Sequence, residues 1–560
     1  MKIAAVAELP LRIADPIYNV NVIYNTVNEM VSRHDAVMVL FPSLCLTTAS
    51  CGSLLNHPYV SHGIQEAIQA IQLGGTGNVL FTMNYPVPSK NGNLLSVINC
   101  IHDGTVHYKA QTPDNVLAQS TYTGVQFRPR KNFNSKDSLS FIPLVVPFHI
   151  ATPEMLDRYA VEYSRKHKGL ILLLNAGFYE SLDENITYPH VSLARNGNLL
   201  SKGHDASEPF IFEMDFPCDC DFLTKTITLP ACERNLPEHA KHTHPFLQKS
   251  EEELAHILEL QSIALSKRMV TSRSGKLILG ISGGLDSTLA LFAACEATNP
   301  HNVIAVSMPG FGTTKRTKNN ALNLAKKLGC RTMEIDIREA CVQHFKDIGH
   351  DPDIADVVFE NAQARERTKI LMDLANANHG IVVGTGDLSE CALGWCTYNG
   401  DHMSMYAVNA TIPKTLVRRL IEYVMEHNPG IADILKDILE TPISPELLPG
   451  KDGGNSCQKT ESILGDYVLH DFYLYHLIGL SETPLQILKN AKNVFHDIYS
   501  EKEIIRTLRI FLQRFATQQF KRNCMPDAPA LTEITLSPNV GWNMPSNISP
   551  DVFLRNLERS

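Results

Sequence analysis

The chain has 560 residues, 44% of them hydrophobic and 19% charged, with 50 Lys and Arg against 59 Asp and Glu for a formal charge of −9. This is globular composition, and at roughly 100–200 residues per domain the length predicts more than one core. The acidic balance argues against nucleic acid as a partner, and no apolar run reaches the ~18–20 residues of a bilayer span, which argues against a membrane. The apolar stretch Ile3–Ala7 ends at Glu8, too short for an export signal, so a cytoplasmic protein is expected. Thirteen irregularly spaced cysteines read as reduced thiols, and none falls between Cys100 and Cys218.

In chain order, Ile3–Ala7, Ala36–Phe41, Val79–Met83, Leu94–Ile101, Phe141–Val146 and Leu170–Leu174 read as buried strands. Val20–Arg33 and Ile64–Ile71 carry apolar residues at helical spacing between them, which predicts a layered α/β domain over 1–230. The text then turns irregular, with CDCD at 218–221 and EHAKHTH at 238–244, and 231–249 reads as a linker. Cys218, Cys220 and Cys232 with His239, His242 and His244 lack a second matched pair, so an ordinary polar linker outweighs a zinc site.

Ser250 with Glu253 forms a capping-box start and opens a second domain over 250–560. Strands at Lys276–Ser282, Val303–Met308, Arg331–Ile337 and Ile381–Gly384 alternate with helices at Leu285–Ala297, Lys318–Leu328 and Ala362–Ala377. That alternation predicts a doubly wound parallel sheet with its ligand at the carboxyl ends of the strands. Residues from about 415 to 524 read as mostly helical.

The most informative segment is LILGISGGLDSTLALF at 277–292, where a strand meets Ser282-Gly283-Gly284-Leu285-Asp286-Ser287 and then a helix. Glycines let the backbone approach an oxyanion, and the first N–H groups of the helix supply donors. Asp286 is suited to Mg²⁺. No Gly-Lys-Ser/Thr follows, so this is not a Walker A loop. The string resembles the pyrophosphate loop of the N-type ATP pyrophosphatases. MPGFGTTKRTKNNALNLAKKLG at 308–329, FENAQARERTKIL at 359–371, GTGDLSECALGWCTYNG from 384, SPELLP at 444–449, QKTESILGDYVLHDF at 458–472 and QQFKRNCMPD at 518–527 narrow the resemblance to the glutamine-dependent NAD⁺ synthetases.

That resemblance implies ATP binding by Gly280, Ser282, Gly283, Gly284, Asp286, Ser287 and Thr385, Mg²⁺ shared by Asp286 and Glu390, and Lys414 as the group that stabilises departing phosphate charge. Asn361, Glu390, Trp395, Tyr398 and Lys521 match positions that hold deamido-NAD⁺. Taken alone, Trp395 reads as core, Lys414 and Lys521 as solvated surface, and Asn361 with Arg365 as a local polar pair at helical spacing. The implied fold is a nitrilase-like αββα sandwich followed by the doubly wound sheet, in a homo-oligomer.

In the family the front domain is a glutaminase with a Glu–Lys–Cys triad. LFPSLCLTTASCGSLL at 40–55 resembles the segment carrying the base, but Ser43 stands where that Glu is expected, and a hydroxyl is no base near neutral pH. VHYKAQTPDN at 106–115 retains Lys109. The stretch VVPFHIATPEM after Phe141–Val146 has no cysteine, Cys45 and Cys100 lie elsewhere, and His149 with Ser43 lacks a third group. The expectation is therefore ATP-dependent amidation of deamido-NAD⁺ by ammonia, free or delivered by a separate protein, with a degenerate front domain. The rivals are a rearranged glutaminase site, a tRNA-modifying pyrophosphatase, and a non-catalytic nucleotide sensor, which the presence of Asp286, Glu390 and Lys414 disfavours.

Overall fold

The computed structural model describes residues 1–560 except 49–50, 52–53, 55–56, 75–78, 89–93, 103–104, 112–120, 130–137, 148–149, 168, 179–184, 204–207, 215–219, 229–241, 442–462, 540, 556 and 558–560. Two compact units divide at 234/235.

The first unit contains two six-stranded sheets. One, in the order β11-β1-β2-β3-β4-β5, is built from β1 (Lys2–Ala5), β2 (Met38–Leu40), β3 (Leu80–Pro88), β4 (Leu94–His102), β5 (Thr105–Gln111) and β11 (Phe210–Glu213). The other, in the order β10-β9-β8-β7-β6-β12, is built from β6 (Thr121–Pro129), β7 (Leu139–Leu144), β8 (Leu170–Asn175), β9 (His190–Arg195), β10 (Asn198–Gly203) and β12 (Cys220–Thr228). Strand alternation explains how they stack. Ile3 and Ala5 face Phe127, Phe141 and Leu172 in a core between the sheets. Ala4, Val39 and Phe81 point the other way, under α1 (Pro16–His34) and α2 (Pro58–Gly74). On the far side Ile142, Ile171 and Ala194 pack under α3 (Pro153–Lys166). The result is the αββα sandwich.

The second unit carries a parallel sheet in the order β15-β14-β13-β16-β17: β13 (Lys276–Gly280), β14 (Val303–Ser307), β15 (Arg331–Glu334), β16 (Gly380–Gly384) and β17 (Tyr406–Ala407). Its helices are α4 (Glu251–Ser272), α5 (Leu285–Ala297), α6 (Lys315–Lys327), α7 (Arg338–Ile348), α8 (Val357–Ala377), α9 (Leu388–Leu393), α10 (Lys414–His427) and α11 (Ala432–Leu439). The capping box at Ser250 and Glu253 opens α4 with both reciprocal hydrogen bonds. A helical layer follows, α12 (Tyr467–Leu474), α13 (Pro484–Phe495), α14 (Glu501–Thr517), α15 (Gln519–Arg522) and α16 (Asp551–Leu554), around Phe472, Phe495, Phe511 and Phe515. Phe246, within the stretch expected as a linker, is buried in this same core and meets Tyr475 edge-on at 5.2 Å. The chain turns back between β15 and β16, so the exits of β13 and β16 frame the crevice where an open α/β sheet takes its ligand. Among the described residues no helix is long and apolar enough to cross a membrane.

Candidate functional site

β13 ends at Gly280, and Gly284 is the N-cap of α5 with extended backbone, φ −89° and ψ 170°. Between them Gly283 has φ +85°, and a Cβ there would lie 2.2 Å from the carbonyl oxygen of Thr317. Only glycine permits both that conformation and that approach. Ser282 Oγ lies 3.2 Å from Ser287 Oγ and accepts from Gly284 N, while Ser287 Oγ accepts from Ser282 N at 3.3 Å. The loop is thus held open by its own hydroxyls, with the first N–H groups of α5 at its mouth.

Across the crevice β16 delivers Thr385, and Asp387 caps α9 by accepting from Glu390 N at 2.8 Å. Lys414, the first residue of α10, is buried. Its Nζ lies 2.6 Å from Asp286 Oδ2, 2.5 Å from Asp387 Oδ2 and 3.0 Å from Glu390 Oε1. Burial opposes a charged lysine, but the three carboxylates outweigh it and hold the ammonium well above its usual pKa. Desolvation, only partly offset by Lys414, raises Glu390 to about 7 and Asp387 well above the carboxylate range.

This donor set suits a hard divalent cation. The three carboxylates each offer an oxygen within 4.8 Å of the others, three anionic groups face one ammonium, and Asp286 Oδ1 is buried with no hydrogen-bond partner. Asp387 was not among the ligands expected from sequence. Its signal was the Asp-x-x-Glu capping pattern of GDLSE, which reads first as a helix start.

Gly280, Ser282, Gly283, Gly284, Asp286, Ser287, Asn361, Thr385, Glu390, Trp395, Tyr398, Lys414 and Lys521 all line one cleft of about 830 Å³. Asn361 and Arg365 do not simply pair with each other. Asn361 Oδ1 accepts from Thr397 Oγ1 at 2.8 Å, and Arg365 Nε donates to Tyr398 O at 3.3 Å. Trp395 packs partly on the helical core and lies under the Arg514 guanidinium at 5.1 Å. Lys521 is tied down, donating to the carbonyls of Gly394 and Cys396, each at 2.7 Å. Tyr398 is exposed at the rim, with Phe520 at 5.4 Å. SPELLP and the start of QKTESILGDYVLHDF lie outside the described residues.

Sequence reading also missed Asn409. Fully buried, it donates from Nδ2 to the carbonyls of Asp286 at 2.8 Å and Thr385 at 3.0 Å, and Gln261 Nε2 holds its Oδ1 at 2.6 Å. One amide therefore joins the first turn of α5 to the exit of β16.

Residues 258–522 match the family model described as NAD synthase. The second unit carries an NAD synthase domain. The glutamine-dependent NAD⁺ synthetase of Mycobacterium leprae is 38% identical over 343 residues, 56% of this chain and 50% of that protein. The one from Synechocystis is 32% identical over 277 residues, 48% and 45% of the two chains. The chain thus spans about half the length of the curated relatives it matches. The likeness of fold extends beyond the NAD synthase domain. The solved glutamine-dependent NAD⁺ synthetase of Cytophaga hutchinsonii aligns over 100% of both chains with TM-score 0.74 at 15% identity. That of Acinetobacter baumannii, in complex with ADP, aligns over 96% of this chain and 97% of its own with TM-score 0.61 at 18% identity. The first unit accordingly has the nitrilase-like fold.

In that first unit Ser43 sits half-buried in the turn after β2, and Lys109 lies in β5 in register with Asn99 of β4. Cys45 is buried with its Sγ accepting from Asn84 N at 3.4 Å, and Cys100 faces the core between the sheets. Neither thiol is open to a substrate. Between β7 and β8 there is no cysteine, and His149 lies outside the described residues. Cys218, Cys232 and His239 also lie outside them, as does the side chain of Cys220.

Proposed function

We propose that the chain is an ATP-dependent NAD⁺ synthetase that amidates deamido-NAD⁺ with ammonia. The observation that carries this reading is Lys414 among Asp286, Asp387 and Glu390 at the head of the glycine loop. The N–H groups of the loop and of α5, with Ser282 and Ser287, bind the ATP phosphates. A nicotinate carboxylate oxygen attacks the α-phosphorus, the bond to the bridging oxygen breaks, and pyrophosphate leaves. Ammonia then attacks the acyl carbon of the adenylate, AMP departs, and a proton is released to leave the amide.

Neither step needs a protein nucleophile, and catalysis is by positioning and charge neutralisation. Lys414 faces the phosphate charge that develops as pyrophosphate leaves. Asp286, Asp387 and Glu390 are the residues to hold Mg²⁺, which supplies electrostatic shielding of the phosphates when bound. Asn361, Trp395, Tyr398 and Lys521 form the wall on which deamido-NAD⁺ rests, the last through the loop it braces.

Ser43 in place of a base, and the absence of a thiol between β7 and β8, support ammonia rather than glutamine as the nitrogen source, either free or from a separate protein. The family resemblance further supports a homo-oligomer, which light scattering checks. The deciding assay combines ATP, Mg²⁺ and deamido-NAD⁺ with ammonium or with glutamine. NAD⁺ and AMP formed in equal amounts with ammonium support the reading. AMP without NAD⁺ overturns it, and equal rates with glutamine overturn the assignment of the first unit.

A further inference from the structure

Helix α10 begins at Lys414 directly after Pro413, which has no side chain to cap the exposed N–H groups of its first turn. Another helix takes over that role. Asp471 of α12, 1% exposed, accepts through Oδ2 from Thr415 N at 3.0 Å and Thr415 Oγ1 at 2.7 Å. Its Oδ1 accepts from the hydroxyl of Ser389, and that hydroxyl accepts in turn from Lys414 N at 2.8 Å. One carboxylate therefore satisfies two successive backbone donors, one directly and one through a hydroxyl.

Ser389 lies on α9, between Asp387 and Glu390, so the same carboxylate grips both the helix bearing the acidic pair and the helix bearing the lysine. Four residues earlier on α12, and so on the same face, Tyr467 places its ring 5.4 Å from Lys414 Nζ. A single helical face thus supports Lys414 at both ends, the backbone by Asp471 and the ammonium by Tyr467.

We propose that Asp471 is a positioning residue for the amidation: it fixes Lys414 relative to Asp387 and Glu390 without touching substrate. This rests on the reading given under Proposed function. A misplacement of about 1 Å in such a constellation costs on the order of 100-fold in rate. Replacement by an isosteric amide keeps the volume but puts an N–H₂ group against donors.

The test compares wild type, Asp471→Asn, Ser389→Ala and the double variant in the full-length protein, by ammonium-dependent kcat, KM for ATP and thermal midpoint. Asp471→Asn should lower kcat about 10–100-fold with KM for ATP within about threefold, and the double variant should lose less than the product of the single losses. A kcat equal to wild type in folded Asp471→Asn overturns the proposal, as does a loss no larger than the unfolded fraction. If Asp471→Asn does not fold, Ser389→Ala alone decides, a wild-type kcat counting against it.

A second readout does not depend on turnover. Acylation of lysines, followed by peptide mass spectrometry, should label Lys414 several-fold more in Asp471→Asn, with labelling of half-buried Lys249, paired with Glu533 at 3.0 Å, unchanged. Unchanged labelling of Lys414 overturns the positioning role. If wild type forms no NAD⁺, the functional reading fails, and the labelling result still judges Asp471.

Discussion

Two clusters of buried polar groups, one in the first unit and one in the cleft of the second, are built differently. In the first unit, around the turn holding Ser43 and at the end of β8, neutral amides bind backbone. Asn84 donates to Pro42 O at 2.7 Å, Asn19 to Leu46 O at 3.0 Å, and Asn175 to Val146 O and Tyr188 O at 3.1 and 2.9 Å. In the second unit ionisable groups face one another, with one ammonium among three carboxylates. Amides that satisfy backbone carbonyls hold a fold together, and they do so at any ordinary pH. In the charge cluster the spare lone pair is on an anionic group, Asp286 Oδ1, which suits it to a cation.

The largest effect should come from breaking the cluster. Lys414→Met leaves three carboxylates without their counter-ion, and loss of one partner of a buried pair costs about 3–5 kcal/mol. NAD⁺ formation in the ammonium assay should fall at least ~1,000-fold, with a lower thermal midpoint, and Asp286→Asn should abolish turnover with less effect on stability. Retained activity in either would mean that the cluster is structural.

Next is the glycine loop. Gly283→Ala forces a Cβ against the Thr317 carbonyl at positive φ, so the KM for ATP should rise by about tenfold or more, a displacement of the loop by ~1.4 kcal/mol. Calorimetric titration with a non-hydrolysable ATP analogue measures it directly. An unchanged affinity would show that the loop yields without cost.

A subtler probe concerns pH. His470 on α12 is buried, and desolvation lowers its pKa to about 4. As pH falls below the unfolded value near 6.5, the unfolded chain takes up the proton first, so this group removes about 1.4 kcal/mol of stability per pH unit until pH 4. His470→Gln should lack that slope. Denaturant titrations of both proteins between pH 7 and 4 check it, and parallel curves would contradict the assignment.

The smallest expected effect sharpens the contrast from the other side. Ser43→Glu restores the carboxylate but not a thiol, so glutamine should still support no NAD⁺, and the ammonium rate should stay within about twofold. Glutamine-dependent turnover in this variant, followed by glutamate release, would reveal a nucleophile outside the segments considered.

The central strands of the second unit's sheet, β13, β14 and β16, were legible because they are short and apolar between periodic helices, whereas the two-residue β17 was not foreseen. Leu285–Ala297 coincides with α5. In the first unit the continuously apolar strands were readable, but β5, β6 and β9 to β12 were not, β9 being buried yet mixed in composition as HVSLAR. β10, NLLSKG, is exposed along nearly its whole length, so no burial imposes a pattern on it. Within the cleft, the glycine loop announces itself because its glycines and hydroxyls are nearly consecutive in sequence. Asn409 and Asp471 act through backbone atoms of residues far along the chain, and Asp387 meets Lys414 from a position that reads locally as a helix cap, relations that local spacing does not encode.

The bond pair made by Asn409 has an evolutionary consequence. Because one side chain reads the carbonyl positions of both Asp286 and Thr385, and Gln261 fixes that side chain in turn, neither the start of α5 nor the exit of β16 can drift alone. Changes at Gln261 and Asn409, whose side chains bond each other, should be inherited together, and a substitution at either one tolerated in a relative should fail when transplanted singly into this chain.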